Sequence, residues 1–199
     1  RSLSDLKQGV TLEVFGEGVS PGPYVQEGER FSFKHAMEAL ENSGVSTNIA
    51  SFLGATTARM MEVGFENRPA TEKEMEKMKQ MVQESMEQGA MGIGSSLIYA
   101  PADYAPTQEL VELCKVASKN GGMYISHMRN EDNLLMEALE ELIIIAKEAE
   151  IPAEIYHLKA SREANWNMLD TLIKRVEQVR AEGLEITADI YTYNASSTG

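Results

Sequence analysis

Two histidines thirty residues apart each close a β-rich run. Met123-Tyr124-Ile125-Ser126 ends in His127, and Glu154-Ile155-Tyr156 ends in His157. On neighbouring strands the two imidazoles would stand side by side at one rim of a sheet, where the strand ends hold them rigidly. Neutral imidazole in that setting is a good zinc ligand, and the pair then needs a third donor. Glu17 offers one. It follows a run ending at Phe15, and the flanking Gly16 and Gly18 let the backbone turn sharply while the carboxylate faces the same rim. A histidine at a strand end is also commonly a hydrogen-bonded structural residue, so spacing alone leaves both readings open. The third histidine, His35, lies in Phe31-Ser32-Phe33-Lys34-His35-Ala36, a loop or helix start outside this pattern.

The elements that must position these groups alternate between β-rich runs and stretches of helical periodicity. Strands are expected over residues 10–15, 47–52, 91–97, 123–127, 154–157 and 186–191. Several are nearly continuous apolar runs, as in parallel strands covered on both faces. Thr71 and Glu74 form a capping box, after which Met75, Met78, Val82 and Met86 share one helix face that reads as core; Gly89 ends that helix. Thr107 is read as the cap of a helix carrying Leu110, Val111, Cys114 and Ala117, stopped near 120–122. A third helix spans about 133–149, ended by Pro152, and a fourth spans about 165–182, with Gly183 just beyond. Six strands joined by helices mean βαβ units in one domain, with no linker. An open doubly wound sheet and a (β/α)8 barrel both put sites at strand C-terminal ends. No GxGxxG follows the first strand, which weakens the dinucleotide-binding form of the open sheet. Six strands cannot close an eight-stranded barrel, so a barrel would lack two.

The 199 residues carry 18 Lys+Arg against 31 Asp+Glu, a net charge of −13, and 43% are hydrophobic. That composition supports a buried core, and the charge repels phosphate backbones, so neither nucleic acid nor an anionic membrane is an expected partner. No run approaches the ~20 apolar residues of a membrane helix. Cys114, the single cysteine, excludes an internal disulfide and a CxxC site, which suits a reducing cytoplasm. The acidic runs 72–76 and 137–141 read as solvated helix faces. The start at Arg1 without Met and the Ser196-Ser197-Thr198-Gly199 ending give the chain the look of an excised piece.

Five segments occur in a telling order: Phe15-Gly16-Glu17-Gly18; Gly94-Ser95-Ser96-Leu97-Ile98-Tyr99-Ala100-Pro101; Ser126-His127-Met128-Arg129-Asn130-Glu131; His157-Leu158-Lys159 with Asn165-Trp166; and Ala188-Asp189-Ile190-Tyr191-Thr192-Tyr193. Together they resemble the N-acyl-D-amino-acid deacylase (D-aminoacylase) family of the metal-dependent amidohydrolase superfamily. The resemblance runs from about Gly9 to Gly199 and includes the interval between His127 and His157. It implies an α/β fold, a partial TIM-like (β/α)8 barrel with six of the eight βα units. Residues 1–199 would then be the central section of the catalytic barrel, without the flanking β-domain and the first and last strands. His127 and His157 match the family's zinc-binding histidines of the fifth and sixth strands. Where the family has a cysteine ligand in an Asn-Cys-Gly context, this chain has Gly-Glu-Gly. The match falls on Glu17 or Gly18, and the carboxylate of Glu17 is carried over as the harder donor. Lys159 and Tyr191 match groups that hold the substrate's carboxylate or polarise its carbonyl; a surface Lys and a packed Tyr is the alternative. Ser95, Ser96 and Tyr99 fall in a loop that the resemblance puts near the substrate. Arg129 and Glu131 are either groups supporting the metal or substrate, or a solvated loop.

The implied activity is zinc-assisted attack of water on the amide of an N-acyl amino acid, with proton transfer by an eighth-strand aspartate expected beyond Gly199. A cyclic-amide hydrolase of the dihydroorotase or hydantoinase type is the first alternative; its usual fourth-strand lysine is missing from Gly92-Ile93-Gly94-Ser95-Ser96-Leu97. The second is a catalytically incomplete structural fragment, inactive alone, whose open sheet edge must either pair, as in an edge-paired or domain-swapped homo-oligomer, or aggregate.

Overall fold

A computed structural model of the chain describes residues 2–195. Arg1 and the Ser196–Gly199 ending lie outside the described residues.

The parallel runs form one wall in chain order. Strand β1 (Leu12–Phe15) pairs in parallel with β4 (Asn48–Ser51), Phe15 opposite Ser51. Phe52 carries that strand into β5 (Leu53–Gly54), its N–H donating to Phe15 O at 2.9 Å. From β5 the sheet continues through β6 (Gly92–Ser96), β7 (Met123–His127), β8 (Ala153–Ile155) and β9 (Ile186–Ala188), all parallel. The last two strands are shorter than their apolar runs suggest. Tyr156, His157 and residues 189–191 lie past the pairing, in the rim loops.

Between β1 and β4 the chain makes a hairpin that the sequence reading did not contain, β2 (Tyr24–Gln26) antiparallel to β3 (Glu29–Phe31). Its turn is Glu27-Gly28, both with positive φ (51° and 84°), the two-residue hairpin turn whose twist matches its strands. Helix α1 (Leu3–Lys7) precedes β1. Helix α2 (Phe33–Asn42) follows the hairpin, and Ser32 caps it by accepting from His35 N at 3.1 Å. His35 is thus in a first helical turn, its ring 4.8 Å from that of Phe31.

Helix α3 (Ala55–Glu62) also escaped the sequence reading. Ala55 through Arg59 are all buried although Thr56, Thr57 and Arg59 are polar, so residue type does not mark its buried face. Its Arg59 crosses the core to helix α5 (Thr107–Lys119), where Nη1 lies 2.8 Å from both oxygens of the buried Glu109. Helix α4 (Glu72–Glu87) has the expected capping box, and Met78, Met81, Val82 and Ser85 form its buried stripe. Thr107 does not cap α5. It is the first helical residue, after Pro106, whose fixed φ suits a helix entry, and its hydroxyl instead donates to Glu141 at 2.8 Å.

Helix α6 (Leu135–Ala149) crosses from β7 to β8, and helix α7 (Leu169–Ala181), entered by a 3-10 turn (Glu163–Met168), crosses to β9. The core lies between the wall and these helices, with Leu53, Ile93, Val111, Tyr124, Leu139, Ile143 and Ile155 almost inaccessible. The acidic runs are solvated only in part: Glu74 and Glu141 are largely covered and pair with Arg68 and Arg129, while Glu140 pairs with Arg175 at the surface. The architecture is α/β and parallel, a partial barrel.

Candidate metal centre

The C-terminal rim gathers Glu17, His127 and His157, one donor atom from each lying within 4.8 Å of the others. His127 is the last residue of β7 and is 7% exposed. His157 stands two residues past β8 at φ 39°, a left-handed conformation that costs a non-glycine residue about 1–3 kcal/mol. The end of β9 holds it there. Asp189 Oδ1 accepts from His157 N at 2.5 Å, and Asp189 O accepts from Leu158 N at 2.8 Å.

Glu17 reaches the rim because its backbone is threaded through a slot lined with glycine. A Cβ on Gly94 would fall 1.9 Å from Gly16 O, and one on Gly54 would fall 2.2 Å from Gly18 O. One on Gly18 itself would meet Ser96 Cβ at 2.5 Å. The Gly-Glu-Gly signal was visible in the sequence; its partners on β5 and β6 show only once the strands are paired.

Glu17 Oε1 lies 2.9 Å from His127 Nδ1 and 3.6 Å from His157 Nε2, and the two imidazole nitrogens are 3.0 Å apart. Tetrahedral zinc with bonds near 2.0–2.1 Å separates neighbouring donors by about 3.3 Å, so this triangle has the size that zinc requires. The donor set also fits in kind, one carboxylate and two imidazoles. His127 Nε2 is buried and hydrogen-bonded to nothing among the described residues; Glu131 Oε1 lies 3.8 Å from it. A ligand on His127 Nδ1 puts the ring hydrogen on Nε2, facing the Glu131 carboxylate. The residues present therefore fit a divalent zinc-like ion.

The electrostatics favour a cation at the same point. Burial pushes the Glu17 carboxyl up, but hydrogen bonds and charge from His127 and His157 outweigh it and hold the group at about 2. Burial likewise pushes His157 down, yet Glu131 and Glu17 raise it to about 9 against the repulsion of Lys159. Glu131, buried beside His157 and Lys159, is lowered by both. Lys159 Nζ lies 2.6 Å from Glu131 Oε1 and 5.5 Å from the centre of the Tyr191 ring. Tyr191 stands 6.2 Å, ring to ring, from His157. Tyr99 approaches His127 edge-on at 5.3 Å, and Ser96 pairs in register with His127.

Two expected residues lie elsewhere. Ser95 is fully buried, with its hydroxyl bonded to Tyr124 at 2.6 Å and Ser126 at 3.0 Å. Strand alternation places that trio on the face opposite His127. Arg129 is occupied by Glu141, at 2.8 Å to each oxygen, and by the carbonyls of Asp103 and Ala105. It ties the loop after β7 to the turn before α5 instead of facing the site. Sequence reasoning gave no role to Asp189, which fixes the turn bearing His157, and none to Tyr156, whose ring is 4.8 Å from that histidine.

No protein-family model matches the chain. It is 31% identical to a D-aminoacylase of Alcaligenes xylosoxydans xylosoxydans over 97% of its own length and 43% of that protein's. A crystal structure of D-aminoacylase, described as defining a novel subset of amidohydrolases, superposes with a TM-score of 0.88 at 29% identity. The chain is homologous to the D-aminoacylases. That superposition covers 94% of this chain and 43% of the D-aminoacylase. The N-acyl-D-glutamate deacylase of Bordetella bronchiseptica, solved with zinc and a phosphonate mimic of the tetrahedral intermediate, gives the same TM-score at 27% identity, over 94% of this chain and 43% of that one. The chain thus spans less than half the length of the D-aminoacylase relatives it matches. Among its described residues, no helix is long and apolar enough to cross a membrane.

Proposed function

We propose that this chain supplies the metal-holding section of a hydrolase that removes the acyl group from N-acyl-D-amino acids. The observation that carries the reading is the triangle of Glu17, His127 and His157, sized for zinc, in a chain homologous to D-aminoacylases. The wall of six parallel strands is, on this reading, the central part of a (β/α)8 barrel, and the buried Cys114 suits work in a reducing cytoplasm. When bound, zinc polarises the amide carbonyl and acidifies a water toward neutral pH.

The chain's own groups do the remaining work. Glu17 and the two imidazoles form a half-buried, acceptor-rich cradle that leaves a fourth position open, as a catalytic zinc site needs. Lys159 presents an ammonium at the rim for the carboxylate of the amino acid. Tyr191, tilted against His157 and beneath Lys159, would offer its phenol hydroxyl to the carbonyl oxygen; such a donor commonly contributes ~3–4 kcal/mol once charge develops there. Ser96 and Tyr99 lie beside His127 at the same mouth, where they would border the substrate.

Metal content by plasma mass spectrometry tests the reading, on chelator-free wild type and on a His127→Ala/His157→Ala double variant. Stoichiometric zinc in the wild type, lost in the variant, is the expected result, and release of amine from N-acetyl-D-amino acids is expected of a chain extended at both ends to include the eighth-strand aspartate, not of these residues alone. A folded wild-type chain without zinc would refute it. Hydrolysis of dihydroorotate or hydantoin in preference to the linear amides would replace it with a cyclic-amide activity.

A further inference from the structure

Glu131, four residues past His127, brings a single oxygen against three nitrogens. Its Oε1 lies 2.6 Å from Lys159 Nζ, 2.9 Å from His157 Nδ1 and 3.8 Å from His127 Nε2. The side chain is 12% exposed, so these charge-assisted contacts are made largely out of water, where they are strong. Its backbone is fixed as well. Ser161 N donates to Glu131 O at 2.8 Å, while Asp132 accepts from the buried Asn165 amide and pairs with Arg162 Nε at 2.9 Å. The loop carrying Glu131 and the loop carrying Lys159 are clasped together.

We propose that Glu131 is a positioning residue: it holds His157 with its hydrogen on Nδ1, which leaves the Nε2 lone pair for the metal, and it keeps Lys159 at the rim. The inference rests on the metal-hydrolase reading above. Two partners compete for Nδ1. Glu131 Oε1 at 2.9 Å requires a hydrogen there, whereas Lys159 Nζ, also at 2.9 Å, would require a lone pair. Lys159 has other acceptors, Glu131 Oε1 and His157 O at 3.2 Å. A ring that gives its Nε2 lone pair to a cation carries its hydrogen on Nδ1, and the carboxylate is then the partner that can accept it. Such a carboxylate orients the ring and raises its basicity, and its removal commonly weakens metal binding 10–100-fold. For Lys159, the same oxygen stands in for the substrate carboxylate until one arrives.

Zinc affinity by competition with a chromophoric chelator tests this on the wild-type chain and on Glu131→Gln, which keeps the shape and removes the charge. The variant should bind zinc about 10–100-fold more weakly while melting as a folded protein. Histidine 15N shifts of the zinc-loaded wild type give a second readout that needs no variant, with His157 protonated on Nδ1 and metal-bound through Nε2. Equal zinc affinity in wild type and Glu131→Gln, or zinc on Nδ1 of His157, would overturn the proposal and leave the metal reading standing. A folded wild type that binds no zinc would overturn both.

Discussion

Replacing Gly94 by alanine should disable the metal centre without touching a ligand. Gly94 lies within β6, between Gly54 on one side and Ile125 on the other, and has no side chain to press on the Glu17 loop. An added Cβ would sit 1.9 Å from Gly16 O and 3.3 Å from Glu17 Cα, whereas ordinary contact begins at 3.4 Å. The backbone at 16–17 must then retreat by about 1.5 Å, because β6 is pinned on both edges. A metal site tolerates donor displacements of roughly 0.2 Å. Losing the carboxylate donor outright should exceed the loss of a supporting partner, so zinc affinity should fall by ~100-fold or more. The overpacking should cost a further ~1–3 kcal/mol of stability. Gly89→Ala is the control. Gly89 has φ 99° and nothing near its absent Cβ, so that change strains the end of α4 by about 1–2 kcal/mol and leaves zinc binding alone. Chelator competition and thermal unfolding on both variants separate the two effects. A folded Gly94→Ala protein with wild-type zinc affinity would show that the slot does not hold Glu17, or that Glu17 is no ligand.

Glu109→Ala should lose about 3–5 kcal/mol in denaturant unfolding, because it strands the guanidinium of Arg59, which is 1% exposed. Arg59→Met/Glu109→Leu should recover much of that loss, and a double variant as unstable as the sum of the singles would contradict the pairing. Burial pushes the Cys114 thiol far up, so it should resist a disulfide reagent at pH 8 in the native chain and react at once in denaturant. Metal-free protein should also show two pH-dependent losses of stability. His157, raised from 6.5 to about 9, contributes most below pH 6.5 and loses its contribution, at most about 3 kcal/mol, as pH rises through 9. Glu17, lowered to about 2, contributes above pH 4.5 and loses its contribution as pH falls toward 2. Urea midpoints that stay flat from pH 6.5 to 9 would contradict the coupling of His157 to its two carboxylates.

The middle of the wall was legible because a strand covered on both faces writes a continuous apolar run, as Met123-Tyr124-Ile125 does in β7, whereas β1 and β9 at its ends are half exposed. Helices with one dry face were legible too, down to the capping box at Thr71. Helix α3 was hidden because its buried part mixes Ala55 and Ala58 with the polar Thr56, Thr57 and Arg59 while Met60 is exposed, and the hairpin at Glu27-Gly28 by strands of three residues each. At the site, residues at strand ends declare themselves, since the period of two breaks there into a polar side chain; Glu17, His127 and His157 were found that way. What spacing does not carry is which partner a long side chain chooses. Arg129 and Glu131 stand two residues apart in one loop, yet one is occupied in joining loops and the other faces the imidazoles.

The order of strands across the wall repeats their order along the chain. Each strand can therefore dock on the one made just before it, across a crossover that separates partners such as Tyr124 and Ala153 or Leu53 and Ile93 by about thirty to forty residues and not by the length of the chain. The metal centre is the exception. Glu17 must wait 110 residues for His127, and the turn holding His157 is not fixed until Asp189 has arrived. A cation captured by all three donors rewards the finished wall and none of its intermediates, so metal retention would report on the completion of folding.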